Sequence, residues 1–462
     1  RPSFRYGRST RHRHQATMST ARSPMTERQI TTASQGHLLT NAGVWTPDGA
    51  WIVYDIRSDP AGATFDGTRI ERVEVATGRV EVLYESREGA CCGVVTASPV
   101  DDRVVFILGP ERPTAEWSYG PARRRGVIVR SGAPGAIEPL DARDLVPPFT
   151  PGALRGGTHV HQFSPDGRLV SFTYEDALLD SAASSDGFER NARAVGVSLC
   201  DRPVRVPRSH PRNHDGSAWS VLVTDLHDGP ARGSDAISRA CEEAWIGTAG
   251  YRRSDGSRQR RALAFQGTVV TPAGDAIIEV FVVDLPDDDE PAGGLDTPGS
   301  APLVGTRSTR PRPPAGVVQR RLTDTAGRVH PGLQGPRHWL RSTPDGERIA
   351  YLARDEIGIV QLFTVGPRGG EPRQVTRQPA SIESAFTWSP AGDRLACVID
   401  GSVCLVDARD GGVERLTPPG DRPAPRPEAC VFSPDGRRVA YVRRVADARG
   451  EFNQLFTVDV PD

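Results

Sequence analysis

Seven times along the chain an apolar run ends in Ser/Thr-Pro, passes through a short turn of small and acidic residues and resumes as a second apolar run. The turns are Thr46-Pro47-Asp48-Gly49 before WIVYD, Ser98-Pro99-Val100-Asp101 before RVVFI, Ser164-Pro165-Asp166-Gly167 before RLVSFTY, and Thr271-Pro272-Ala273-Gly274 before DAIIEVFVV. Thr343-Pro344-Asp345-Gly346, Ser389-Pro390-Ala391-Gly392 and Ser433-Pro434-Asp435-Gly436 complete the set. Apolar runs of this length, bounded by turn residues, read as strands. Pro presets φ at the turn, and Gly supplies the positive φ that closes it. A second hairpin follows in most repeats, as in residues 359–376 and 402–417, so each repeat carries four strands.

Pro344, Pro390 and Pro434 are 46 and 44 residues apart. A four-stranded unit with a period of about 40–50 residues is a propeller blade. Seven repeats therefore predict an all-β protein, a seven-bladed β-propeller spanning residues 25–462. Such a ring has to be closed. Outer strands end in Arg320-Arg321-Leu322-Thr323, Arg373-Gln374-Val375-Thr376 and Glu414-Arg415-Leu416-Thr417, and Arg28-Gln29-Ile30-Thr31 repeats that signature near the start. The last repeat ends after its third strand, so residues 28–32 are expected to supply its fourth and protect the edge. The long interval between the third and fourth turns predicts an insertion, residues 176–261, between blades three and four. Within it, residues 234–247 place Ile237, Ala240, Cys241, Ala244 and Trp245 at helical spacing behind a Ser/Asp start, which predicts a short helix.

Composition narrows the chemistry. The 462-residue chain has a net charge of −1, so no nucleic-acid or membrane partner is expected. All 57 basic residues are Arg, which excludes Schiff-base and P-loop lysine chemistry. Seven Cys without a CxxC pair predict neither a disulfide framework nor a zinc knuckle, and reduced thiols suit a cytoplasmic monomer. No apolar run is long enough to span a membrane. Residues 1–24 are basic and polar without an apolar stretch and read as a disordered tail rather than a signal peptide. Neither a G-x-S-x-G nucleophile elbow nor a Gly-rich nucleotide loop occurs.

The hairpins with the following LFTV…GG…RQVT strands resemble TolB-type (WD40-like) propeller repeats. The order of GVWTPDG, TPGALRGGTHVHQFSPDG, HPRNHDGSAW and PRHWLRSTPDG resembles a family of uncharacterised bacterial TolB-like propellers, which implies fold rather than activity. Thr158-His159-Val160-His161 directly before Phe163-Ser164-Pro165-Asp166 is similar to the T-H-x-H metal segment of oligogalacturonate lyase, a seven-bladed enzyme of pectin breakdown. Where that lyase has a Gln three residues before the first of these His, this chain has Gly156.

The strand before each turn should line the axial channel. Six residues before each turn proline stand Asn41, Gly93, His159, Gln266, His338, Ser384 and Glu428, none of them aliphatic. Four before it the positions are mostly apolar, with His161 an exception. The first set predicts a polar ring at one channel mouth. His159, His161, His338 and Glu428 are the candidate ligands for a divalent metal, Mn or Zn, with Asn41 and Gln266 as further ligand-binding groups. The same ring suits an acidic or sugar ligand without a metal, or a water-filled channel, and His161 suits a core position equally well. Arg208, His210, Arg212 and His214 form a basic loop suited to an anion.

Two functions follow. One, implied by the lyase resemblance, is a metal-dependent lyase acting on small acidic carbohydrates, with His210, His214 or Arg155 as base. The other is a non-catalytic propeller that binds a protein or small ligand.

Overall fold

The computed structural model describes residues 26–461 except 41, 60, 61, 63, 183–186, 287–293, 300, 421 and 429. Seven four-stranded antiparallel sheets follow one another along the chain. The innermost strands are Gly36–Leu38, Cys92–Ala97, Gly156–Phe163, Arg239–Trp245, Arg341–Ser342, Thr387–Trp388 and Val431–Phe432. The protein is a seven-bladed β-propeller. Residues 1–24 and Asn41 lie outside the described residues.

The second strand of each blade is covered on both faces by its neighbours and so reads as a continuous apolar run, as in Ile349–Arg354 and Arg394–Ile399. Outer strands such as Ala133–Pro139 and Gly369–Gln374 face solvent. The core lies between blades: Ile52, Tyr54 and Val73 of blade one pack on Val431, Val442 and Leu455 of blade seven. The turns close as their composition implies. Ser433 Oγ donates to Asp435 Oδ1 at 2.6 Å, the Arg437 amide donates to the same oxygen at 3.1 Å, and Gly436 adopts φ +73°. Two residues before the turn proline, Trp45 and Trp388 send their indole N–H to carbonyls of the preceding blade, Val431 and Arg341.

Closure occurs through the N-terminal segment. Glu27–Gln29 pairs antiparallel with the third strand of blade seven in the register Glu27↔Val458, Arg28↔Thr457, Gln29↔Phe456. The ladder continues one step through the Ile30 amide to the Leu455 carbonyl at 2.7 Å.

Blade four departs from the prediction. Residues 239–245 form its innermost strand, not a helix, and Trp245 takes the Trp position of the repeat, bonding Gln162 O of blade three at 3.0 Å. Ile246-Gly247 replaces Ser-Pro there, which hid the strand. A bulge between Cys241 and Ala244, with Glu242 at φ +55°, breaks the two-residue alternation and produced the helix-like spacing. The Thr271–Gly274 turn consequently joins the second and third strands of that blade. Residues 176–261 are thus not one insertion. They carry the short helix Ala177–Ser181, capped by the Asp176 carboxylate, then two strands of blade three and the first of blade four.

Candidate functional site

At the channel end away from the Ser/Thr-Pro turns lies a cavity of about 420 Å³. His159 reaches it from the inner strand of blade three, and Arg57, Arg124, Arg193 and Arg337 from blades one, two, three and five. Arg124 and Arg193 each stand directly before the third strand of their blade, where the connecting loop opens on this face. Val94 and Val160 of the cavity wall sit at φ +56°, in bulges of the inner strands of blades two and three. Positive φ is costly for a β-branched residue, and such strain concentrates at functional sites.

Three of the four guanidinium groups carry their own counter-charge. Arg57 pairs with Asp55 at 2.7 Å, Arg193 with Glu175 at 2.7 Å and Arg337 with Glu242 at 2.9 Å. Glu428, also in the wall, pairs with Arg426. Arg124 differs. It is 8% exposed, donates to the Tyr119 hydroxyl at 3.2 Å, and makes no ion pair among the described residues. Burial lowers its pKa. Tyr119 is held by a stacked Phe65 at 4.6 Å. Arg124 Nε, His159 Nδ1 and Trp339 Nε1 are buried without a hydrogen-bond partner among the described residues. Burial, then the cations Arg124, Arg193 and Arg337, hold the His159 pKa well below the usual imidazole value, so its ring is neutral.

The structure scatters the other predicted residues. His161 is fully buried between blades two and three, where its Nε2 meets Thr158 Oγ1 at 3.0 Å, and Thr158 donates to Asp141 at 2.9 Å. Gly126 leaves room for the ring, since a Cβ there would lie 2.5 Å from Nε2. His338 uses both nitrogens: Nδ1 bonds Pro336 O at 2.8 Å and Nε2 accepts from the Leu352 amide at 3.1 Å. Ser384 of blade six does the same for the Val398 amide at 2.8 Å, so this position closes a short inner strand. Gln266 stands on the second strand of blade four and donates to His338 O, which removes it from the ring. Arg155 is no base: it is 2% exposed, pairs with Asp176 at 2.7 Å and holds the carbonyls of Thr306 and Thr309. In the basic loop, Arg208 pairs with Asp215, Arg212 donates to Glu111 O, His210 accepts from the Arg212 amide and His214 bonds Asp215 O. None of these four lines the cavity.

The buried histidines set a pH limit on stability. Burial lowers the His161 pKa to about 3 and that of His338 to about 4. The unfolded chain takes up protons below the ordinary value of 6.5 while the folded chain does not. Stability complete above that value is therefore lost as the pH falls through about 4 and about 3. Urea unfolding followed against pH should show a steep decline on the acid side that His338→Gln makes shallower. Identical profiles for the two proteins would remove His338 from the account.

Residues 91–214 match a family model described as a protein of unknown function (DUF3748). The chain is 47% identical over 416 residues to the Uncharacterized protein YidR of Escherichia coli (strain K12), with 90% of this chain and 94% of that one covered. The chain belongs to the YidR family. Among solved structures this YidR-family propeller is similar to an oligogalacturonate lyase in complex with manganese, at 13% identity and TM-score 0.53, covering 95% of this chain and 97% of that chain. It is also similar to the oligogalacturonate lyase of Vibrio parahaemolyticus, at 11% identity and TM-score 0.51, covering 95% and 98%. At such identities the likeness is one of fold.

The described residues of this YidR-family chain do not fit a divalent metal. Among the described residues no group of three or more His, Cys, Asp or Glu side chains stands ready to hold one. His161 and His338 are committed within the walls, Glu428 is paired, and the groups facing His159 are guanidinium cations. Counting back from the turn prolines found His159 but could not find these arginines, which sit outside the inner strands. The recurring Arg at the start of the third strand, in RRRGVIV and RNARAVGV, was the available signal.

Proposed function

We propose that this propeller binds a small carboxylate-bearing ligand, of the acidic-oligosaccharide class, at the arginine-lined mouth, without a metal. The observation that carries the reading is Arg124, a buried guanidinium with no carboxylate bonded to it among the described residues (Glu175, the nearby acid, is bonded to Arg193), beside a neutral imidazole with an unused ring nitrogen. A buried cation without a directly bonded counter-charge is costly, and a ligand carboxylate entering the cavity offsets that cost. The cavity volume falls within the usual range for small-ligand sites. The paired arginines and Trp339 Nε1 supply further donors for hydroxyl and carboxylate oxygens. His159 suits binding rather than proton abstraction, because a base held well below neutral pKa accepts a proton poorly.

Calorimetric titration with oligogalacturonate in the presence of EDTA tests this. We expect saturable binding that weakens with salt and is not matched by a neutral oligosaccharide of equal length. Absence of binding, or binding that returns only when Mn or Zn is added, would falsify the metal-free reading. Release of an unsaturated uronide in the same mixture would establish lyase activity.

A further inference from the structure

Resting on the acidic-ligand reading above, we infer that one ligand carboxylate docks on the backbone bulge at Val160, as the Asp55 carboxylate does on the equivalent bulge at Val94, with Arg124 and His159 at its sides. Among the described residues the inner strands of blades two, three and four share this bulge. Val94, Val160 and Glu242 stand in it at φ +56°, +56° and +55°. Val94 and Val160 each lie five residues before their turn proline. The second strand of the preceding blade packs against the bulged strand in all three cases.

The first bulge already holds a carboxylate. The Val94 amide donates to Asp55 Oδ1 at 3.0 Å, and Arg57 Nε donates to Asp55 Oδ2 at 2.7 Å. Gly93 leaves the room for this pair, since a Cβ there would lie 2.6 Å from Asp55 Oδ2. Backbone amides and guanidinium groups serve many anions, and Asp55 shows that this bulge accepts a carboxylate.

The second bulge keeps the backbone and lacks the acid. Asp55 and Arg57 stand eight and ten residues after their turn proline, and the same places in blade two are Ile107 and Gly109. A Cβ at Gly109 would crowd the Tyr119 ring at 3.1 Å, and the Tyr119 hydroxyl accepts from the guanidinium of this copy, Arg124. His159 takes the place of Gly93. Ile107, Arg124, His159 and Val160 all line the one cavity. The two acids that also line it, Asp55 and Glu428, are bonded to Arg57 and Arg426. Asp141, between blades two and three, does not line the cavity, and its Oδ1 accepts from the Gly126 amide and the Thr158 hydroxyl at 2.9 Å each.

The third bulge has acids of its own. Thr173 stands eight residues after its turn proline and donates to Glu243 Oε2 at 2.8 Å, while Glu242 pairs with Arg337. Chain carboxylates thus serve the first and third bulges, and the middle one faces the ligand cavity with an apolar residue in the place of Asp55.

Two substitutions of one residue test the inference. Ile107→Asp supplies a carboxylate in the place of Asp55, and Ile107→Asn supplies the same shape without the charge. Ile107 is buried, so the two variants are compared with each other rather than with wild type. Ile107→Asp should melt above Ile107→Asn and bind oligogalacturonate about tenfold or more weakly than it, because the internal acid competes for the bulge. A buried acid with no site to enter should instead melt below the amide. In wild-type protein carrying isotope-labelled valine, galacturonate with EDTA should move the Val160 amide resonance, assigned by its loss in Val160→Gly, and leave that of Val94 in place. The methyl ester of galacturonate should move neither. Ile107→Asp melting below Ile107→Asn, equal binding by the two, or an unmoved Val160 resonance at saturating galacturonate would each overturn the docking place, while wild-type binding keeps the acidic-ligand reading. Absence of wild-type binding sinks that reading instead, and the order of the two melts still decides whether the Val160 bulge accepts a carboxylate.

Discussion

Arg124→Met is expected to make the ligand-free protein more stable, by about 1 kcal/mol or more, and to weaken binding of an acidic ligand by roughly 100-fold. Both effects come from one fact. Arg124 is 8% exposed and has the Tyr119 hydroxyl, not a carboxylate, as its side-chain partner among the described residues. Taking a guanidinium out of water without a directly bonded counter-charge costs free energy in the empty protein, and an apolar side chain of similar length removes that cost. The bound state loses instead, because a ligand carboxylate is then buried without its charge partner. The neighbours sharpen the comparison. Arg193→Met breaks a 2.7 Å pair with Glu175 and should lower stability, since it strands a carboxylate. Thermal unfolding with and without oligogalacturonate reads both quantities. If Arg124→Met destabilises the free protein as Arg193→Met does, Arg124 is a structural pillar and the site assignment fails.

The fold was legible because its signal is local and repeated. A Ser/Thr hydroxyl, a Pro, an Asp and a Gly each have one physical task in the turn, and the same four tasks recur around the ring. Closure was legible too, since an outer-strand signature was present near the start and missing at the end. The site was only half legible, and the reason lies in one residue. In a regular strand His159 and His161 would point to the same side. Val160 at φ +56° makes the strand bulge, so His159 lines the cavity while His161 turns into the wall beside Gly126. The bulge at Glu242 misled the reading of blade four in the same way. The arginines around His159 come from four blades and no single spacing joins them. Their convergence is a property of ring closure, which brings separate loops to one axis.

That dependence on closure makes Glu27 the residue with the greatest expected effect on stability. Its carboxylate lies 3.2 Å from the guanidinium of Arg443, whose side chain is 4% exposed, and it accepts a hydrogen bond from the Tyr441 hydroxyl. A further pair, with Arg422 at 2.8 Å, lies at the surface and adds little. Glu27→Ala leaves Arg443 buried without its charge partner, a change that costs about 3–5 kcal/mol in comparable cases. Glu27→Gln keeps an acceptor for Tyr441 and should cost less. Deleting the chain through Gln29 removes the outer strand of blade seven and uncovers the edge of Gly450–Asp459, so that protein should lose stability and also self-associate. Urea unfolding and size-exclusion chromatography of the three variants give the ranking. If Glu27→Ala unfolds at the same urea concentration as wild type, the N-terminal strand decorates the ring rather than closing it.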